Sequence, residues 1–175
     1  MNEKNSIDLE SDPCSIIGSR LFDAPRELVF SAFTDPEHLA RWWGPNGFTT
    51  TTHNFEFRPG GVWRFVMHGP DGRDYQNRIT YEEIIRPERI VYRHGGGDVV
   101  YRHGGGDDVE PVQFIQTLTF EDLGRDRTRL TWHGQFPSAE ERARVIKNYG
   151  ADKGLSQTMA RLVDYVATMA AEKTA

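Results

Sequence analysis

The sequence lacks the features that mark several classes of protein. Its single cysteine, Cys14, cannot form an internal disulfide or supply a cluster of thiolate ligands, which fits a reducing compartment. No stretch of about 18 residues is free of charge, and the first residues have neither the basic nor the apolar region of a secretory signal. These absences predict that no segment spans a membrane and that the chain is cytoplasmic.

Positive charge is also scarce. The 21 Lys and Arg residues are outnumbered by 26 Asp and Glu residues, and the net charge of -5 leaves no basic surface for neutralising phosphates. We therefore do not expect nucleic acid as a partner. Hydrophobic residues make up 37% of the 175 positions, which is ordinary for a globular chain of one domain. The polar composition of residues 1–12 predicts a flexible tail, and residues 13–172 are expected to form a single domain.

The order of hydrophobic periods predicts an α+β fold. A strand is expected at residues 14–23, and two short helices should begin near Pro25 and behind the N-cap Asp35. Apolar residues then alternate with polar ones through several runs between residues 53 and 136, which is typical of antiparallel strands. A helical stripe follows, with a break predicted near Gly150. We expect a curved antiparallel sheet of about six to seven strands covered by a long C-terminal helix.

The octapeptide VYRHGGGD occurs twice, at residues 91–98 and again at residues 100–107. An added full strand would invert every later pairing in an antiparallel sheet, so the second copy is expected to form an excursion. The glycine triplets predict a mobile loop at residues 95–110. His94 and His103 could be imagined as metal ligands, but flexible glycine spacers do not organise a coordination sphere.

Four motifs in order resemble one known superfamily. They are DPEHLARWWGP at residues 35–45, FRPGGVWRFVMHGPDG at 57–72, IRPERIVYRHG at 85–95 and YGADKGLSQTMARLVDY at 149–165. Residues 14–170 are similar to the SRPBCC superfamily, which has the START and birch-pollen-allergen helix-grip fold, and to its subgroup named after the activator of heat-shock protein 90 ATPase homologue. The resemblance implies a bent sheet gripping the C-terminal helix, with a largely apolar cavity between them. It also implies a role as carrier, cyclase or aromatase, or co-chaperone. The second copy of the octapeptide departs from the family pattern.

The alternation predicts which residues line that cavity. If the aromatic positions point inward, His53, Asn77 and Gln116 have the same parity and join them, and a few polar groups in an apolar pocket are typical of small-molecule sites. The competing interpretation is a filled core in which buried polar groups satisfy one another. The candidate ligand-binding residues are Trp42, Trp43, His53, Phe55, Phe57, Trp63, Phe65, Met67, Asn77, Tyr81, Gln116 and Trp132.

The Trp pair is open to two interpretations. Trp42 and Trp43 either gate the mouth of the cavity, or one of them caps the core while the other lies half exposed. His53 is the single histidine that the alternation places inside, so it is the candidate general base for an aldol cyclisation or dehydration. His68 and His133 fall on the outer parity, which speaks against a three-histidine metal site. No metal or other cofactor is expected.

These patterns support three hypotheses on function. The first is a non-catalytic domain that binds a small hydrophobic or aromatic molecule, with His53, Asn77, Tyr81 and Gln116 offering hydrogen bonds. The second is an enzyme of the polyketide cyclase or aromatase type that works without a cofactor in a pocket that excludes water. The third is a co-chaperone-like protein-interaction module, which rests on the subgroup name alone. Whether edge strands pair in a homodimer is left open by the sequence.

Overall fold

The computed structural model describes residues 5–95 and 112–174, which form an antiparallel sheet and helices packed on its inner face. The eight strands lie in the order β1-β2-β8-β7-β6-β5-β4-β3, which confirms the predicted α+β class. Most of the predicted mobile loop, residues 96–110, lies outside the described residues. The elements are β1 (Asn5–Asp8), β2 (Ser15–Phe22), α1 (Arg26–Ser31), α2 (Pro36–Trp42), β3 (Thr49–Phe55), β4 (Val62–His68), β5 (Asp74–Ile85), β6 (Arg89–His94), β7 (Phe114–Gly124), β8 (Arg127–Gln135), α3 (Ala139–Tyr149) and α4 (Ala151–Thr174).

The helices begin and end where their local chemistry requires. The Asp35 side chain accepts a hydrogen bond from the Glu37 N–H at 2.8 Å, so α2 begins behind an N-cap with proline in its first turn. Ser138 caps α3 in the same way, through the Glu141 N–H at 3.1 Å. Gly150 has φ 60°, and this left-handed conformation ends α3 before α4 starts at the next residue. The predicted break at Gly150 is confirmed.

The long helix α4 lies close to the sheet because β2 carries a glycine at the contact. A Cβ atom on Gly18 would lie 2.9 Å from Cε of Met159 and 3.1 Å from Cδ2 of Leu155. Together with Met159, the buried side chains of Leu162 and Val166 form the stripe that α4 places against the core. Within residues 5–95 and 112–174, no helix is both long and apolar enough to cross a membrane.

The first residues differ from the predicted flexible tail. Asn5–Asp8 form β1, which pairs with β2 at the edge of the sheet, with Ser6 opposite Ser19 and Asp8 opposite Ile17. The prediction of a flexible tail is therefore wrong for this segment, and β1 raises the strand number above the expected six to seven. The reason is that an edge strand needs few apolar residues, since backbone hydrogen bonds to β2 hold it and Ile7 packs on the core.

His53 lies in a β-bulge of β3. Thr52 pairs with Phe65 and Asn54 pairs with Arg64, so the strand β4 offers no residue opposite His53. The extra residue reverses the alternation that would otherwise place His53 on the same side as Phe55. The His53 side chain is exposed. The prediction that it points inward was wrong because simple alternation was continued through the bulge.

Candidate ligand-binding cavity

A cavity of about 200 Å³ lies between the inner face of the sheet and the helices α3 and α4. Its walls are mainly aromatic and aliphatic, which is the lining that small-molecule sites share. Several strands and both C-terminal helices contribute one or more side chains, so the fold as a whole shapes the space. The lining residues are Ile16, Trp43, Gly44, Pro45, Phe65, Met67, Asn77, Tyr92, His94, Phe114, Gln116, Trp132, Gly134, Phe136, Val145, Ala151, Leu155 and Thr158.

The sheet contributes a glycine, Gly134, to the wall of the cavity. Tyr92, Gln116, Gly134 and Ile16 lie opposite one another on β6, β7, β8 and β2. A Cβ atom on Gly134 would lie 3.1 Å from Oε1 of Gln116, so the glycine leaves room for the amide beside it. Any larger residue at position 134 would take up cavity space or push the Gln116 side chain aside.

Gln116 is the polar side chain of the cavity that stands out. It is only 4% exposed, and its Nε2 is buried with no hydrogen-bond partner among the described residues. A buried amide donor without an acceptor costs about 1–3 kcal/mol, and such groups are rare in native proteins. Gln116 is therefore a group that a bound molecule could satisfy.

His94 and Asn77 form a second polar pair in the lining. Nδ2 of Asn77 donates to the Tyr75 carbonyl at 2.9 Å, so Oδ1 faces His94 and accepts from its Nε2 at 3.2 Å. The imidazole also stacks on Phe114, with the ring centroids 4.7 Å apart. Burial lowers the pKa of His94 to about 4, and a hydrogen bond to the main chain of Val112 opposes this shift only in part. At neutral pH the imidazole is therefore uncharged.

No site for a metal ion is evident in the described part of the chain. Across residues 5–95 and 112–174, no three His, Cys, Asp or Glu side chains lie together in a way that could hold a cation. The polar side-chain groups of the lining are amides, hydroxyls, indole N–H groups and the neutral imidazole. This donor set suits an uncharged organic molecule better than an ion.

Most of this chain matches the model of one known protein family. Residues 23–167 match the family model described as Activator of Hsp90 ATPase homolog 1-like protein. The chain belongs to this family. The description of the Activator of Hsp90 ATPase homolog 1-like family names no ligand, so membership alone does not assign a molecule to the cavity.

Solved structures share the fold of this family member. A protein from Arthrobacter aurescens is 26% identical, with a TM-score of 0.81 over 93% of this chain and 91% of that chain. Ms6760 from Mycobacterium smegmatis is 21% identical, with a TM-score of 0.74 over 94% of each chain. CalU16 from Micromonospora echinospora is 18% identical, with a TM-score of 0.55 over 97% of this chain and 88% of that chain. No curated protein matches this chain significantly.

The structure brings part of the predicted site together. Trp43, Phe65, Met67, Asn77, Gln116 and Trp132 all line the cavity. Trp63 and Tyr81 lie deeper, beside a void of about 10 Å³ that is too small for a ligand. That any of these residues binds a molecule stays a prediction.

Other predicted residues lie away from the cavity. Trp42 is fully buried in the core, where its Nε1 donates to the Ala32 carbonyl at 3.1 Å, so it is a packing residue. Phe55 and Phe57 stack on each other, and Phe57 also packs against Phe30 of α1, which leaves the pair outside the lining of the cavity. The exposed His53 is also absent from the lining, because of the bulge.

Sequence reasoning missed His94. The alternation of Ile90, Tyr92 and His94 on β6 carries the signal, because all three face the interior while Arg89 and Arg93 face solvent. His94 belongs to the duplicated octapeptide, so the sequence suggested it as a metal ligand and not as a residue of the cavity wall. The helix residue Thr158 could not be found in this way, since a stripe on α4 does not reveal which positions face a cavity.

An arginine of α4 holds the segment at Gly44 and Pro45 that lines one side of the cavity. Nη1 of Arg161 donates to the carbonyls of Gly44, Pro45 and Phe48 at 2.9, 3.0 and 3.2 Å. The segment that follows Trp43 is thereby tied to the helix that covers the sheet. Beyond it lies an outer recess of about 240 Å³, bordered in part by Phe48, Tyr75 and Tyr149. Trp43 itself packs against the core and lines the cavity.

Proposed function

We propose that this chain binds a small hydrophobic or aromatic molecule in its cavity and does not transform it. The observation that carries the proposal is the apolar cavity of about 200 Å³, whose wall contains the buried Nε2 of Gln116 without a hydrogen-bond partner among the described residues. Burial of apolar ligand surface supplies the affinity, at about 25 cal/mol per Å². The polar groups of the wall orient the molecule. The cytoplasmic location and a homodimer through the edge strands stay predictions.

The size of the cavity limits the molecule. Small-molecule sites commonly measure about 300–1,000 Å³, and an apolar cavity of about 150 Å³ engineered in another protein takes up benzene. A cavity of about 200 Å³ therefore suits one ring with a short substituent. A larger molecule would extend into the outer recess past Pro45 and Met67, which border both spaces.

A cyclase or aromatase type of enzyme is the second candidate, and the His94–Asn77 pair is the observation in its favour. A general base works best when its pKa is close to the working pH. Burial lowers the pKa of His94 to about 4, so its imidazole is a weak base. Burial raises the pKa of the Tyr92 hydroxyl, so that group is a weak acid. These shifts favour binding over proton transfer.

A thermal-shift screen with native mass spectrometry tests the proposal. One-ring and two-ring aromatic molecules, flavonoids and lipids are titrated against the protein. At least one is expected to raise the melting temperature progressively with its concentration and to add its mass in a 1:1 complex. Gly134→Val should abolish the shift, because the added side chain takes up cavity space. Turnover of any stabilising compound is followed in parallel by chromatography.

The matched control is Gln135→Val, which changes the neighbouring residue of β8 on the opposite, exposed face. This variant should keep the shift. The proposal fails if no compound stabilises the protein, or if Gly134→Val responds as the unchanged chain does. Conversion of the compound would support the enzyme instead. Should Gly134→Val not fold, Leu155→Phe narrows the same cavity from the side of α4.

A further inference from the structure

The walls of the cavity carry no ionic side chain among the described residues. The polar side-chain groups of the lining residues are the amides of Asn77 and Gln116, the hydroxyls of Tyr92 and Thr158, the imidazole of His94 and the indole N–H groups of Trp43 and Trp132. The nearby cation of Arg161 is not among the lining residues, and its Nη1 donates to three main-chain carbonyls. A carboxylate or ammonium group that entered this space would lose its hydration without gaining a counter-charge, which is strongly unfavourable.

Several polar groups of the wall already have hydrogen-bond partners within the protein. Asn77 uses Nδ2 on the Tyr75 carbonyl and Oδ1 on His94. The Thr158 hydroxyl donates to the Gly154 carbonyl at 2.8 Å. Gln116 differs, since its Nε2 has two N–H groups and no acceptor in the described chain. A ligand therefore gains most from an oxygen that accepts a hydrogen bond from this amide.

The remainder of the wall is aromatic. Trp43, Phe65, Phe114, Trp132 and Phe136 surround the space, and aromatic side chains favour edge-to-face contacts with a further ring. A flat ring with a short polar substituent matches both this wall and the volume of about 200 Å³.

We propose that the ligand is an uncharged aromatic molecule whose carbonyl oxygen accepts a hydrogen bond from Nε2 of Gln116. This inference rests on the proposed function, because it assigns a chemical class to the molecule that the cavity binds. It excludes aromatic acids and amines in their charged forms. It also makes Gln116 the residue that distinguishes a carbonyl compound from a hydrocarbon of the same shape.

Three probes of nearly equal shape test the assignment by calorimetric titration at pH 7.5. Acetophenone carries the neutral carbonyl, α-methylstyrene replaces this oxygen by a methylene group, and benzoate carries a charge. Acetophenone is expected to bind at least about tenfold more tightly than benzoate. In Gln116→Leu the ratio of the two neutral affinities should shift about tenfold towards α-methylstyrene. The variant should fold, because leucine removes a buried unsatisfied amide at similar volume.

The control is Gln113→Leu, which changes an exposed glutamine that precedes β7 and does not line the cavity. It should keep the affinity ratio of the unchanged protein. An unchanged ratio in Gln116→Leu, or benzoate binding as tightly as acetophenone, overturns the chemical assignment while binding in the cavity stands. If neither neutral probe binds saturably while another compound of the thermal-shift screen does, the chemical assignment is overturned and the proposed function stands. If nothing in that screen binds either, both fail.

Discussion

Replacing Trp42 by alanine is expected to lower the free energy of unfolding by about 3–5 kcal/mol. The side chain is fully buried, its ring contacts Phe33 at a centroid distance of 4.8 Å, and its Nε1 donates to the Ala32 carbonyl. Truncation opens a large void and leaves that carbonyl without its donor. Urea denaturation followed by circular dichroism measures the change.

Trp43→Ala is the matched variant for this experiment. Trp43 is half-buried and lines the cavity, so its loss enlarges an existing space and should destabilise the protein less than the loss of Trp42. Ligand affinity should respond in the opposite order, with the larger loss in Trp43→Ala. Equal destabilisation by the two substitutions would contradict the separate roles of core residue and cavity wall.

The stability of the protein should depend on pH through His94. Its pKa is about 4 in the folded state and close to 6.5 in an unfolded chain, so the unfolded state binds the proton more tightly. Stability from this residue is fully present above about pH 6.5 and falls as the pH drops towards 4. Below that value the folded state is protonated as well, and the loss levels off. The full loss is about 3 kcal/mol.

Urea unfolding of His94→Gln between pH 4 and pH 7.5 tests this expectation. Glutamine can still donate to Oδ1 of Asn77 but does not titrate, so the variant should lose stability less steeply than the unchanged protein over that range. Carboxylates titrate in both proteins, and only the difference between the two curves reports on His94. His53→Gln is the control, since it makes the same substitution at an exposed side chain that does not line the cavity. Parallel curves for His94→Gln and the unchanged protein would argue against a buried neutral imidazole.

Much of the architecture could be predicted from local chemistry. The N-cap Asp35, the left-handed Gly150 and the period of two along β4 act over a few residues, and each leaves a direct trace in the sequence. The same period identified Gln116 and Asn77 as inward-facing residues. Both lie on strands whose alternation is unbroken at these positions.

The features that were predicted wrongly have a different physical origin, because they depend on contacts between segments that are distant in the sequence. The bulge at His53 exists only in relation to β4, so no pattern within β3 reveals it. The strand β1 is formed by backbone hydrogen bonds to β2, which make few demands on side chains. Whether Trp42 or Trp43 faces the cavity is decided by how α2 packs against the sheet. Tertiary contacts of this kind require the structure.

Methyl NMR with labelled methionine tests binding in the cavity most directly. Met67 lines the cavity, whereas Met169 lies in the core at some distance along α4 and does not line it. Titration with acetophenone should shift the Met67 methyl signal saturably, through the ring current of the bound molecule, and leave Met169 nearly unchanged. A Met67 signal that does not move, or signals that move together without saturating, would contradict a ligand-binding cavity at this site.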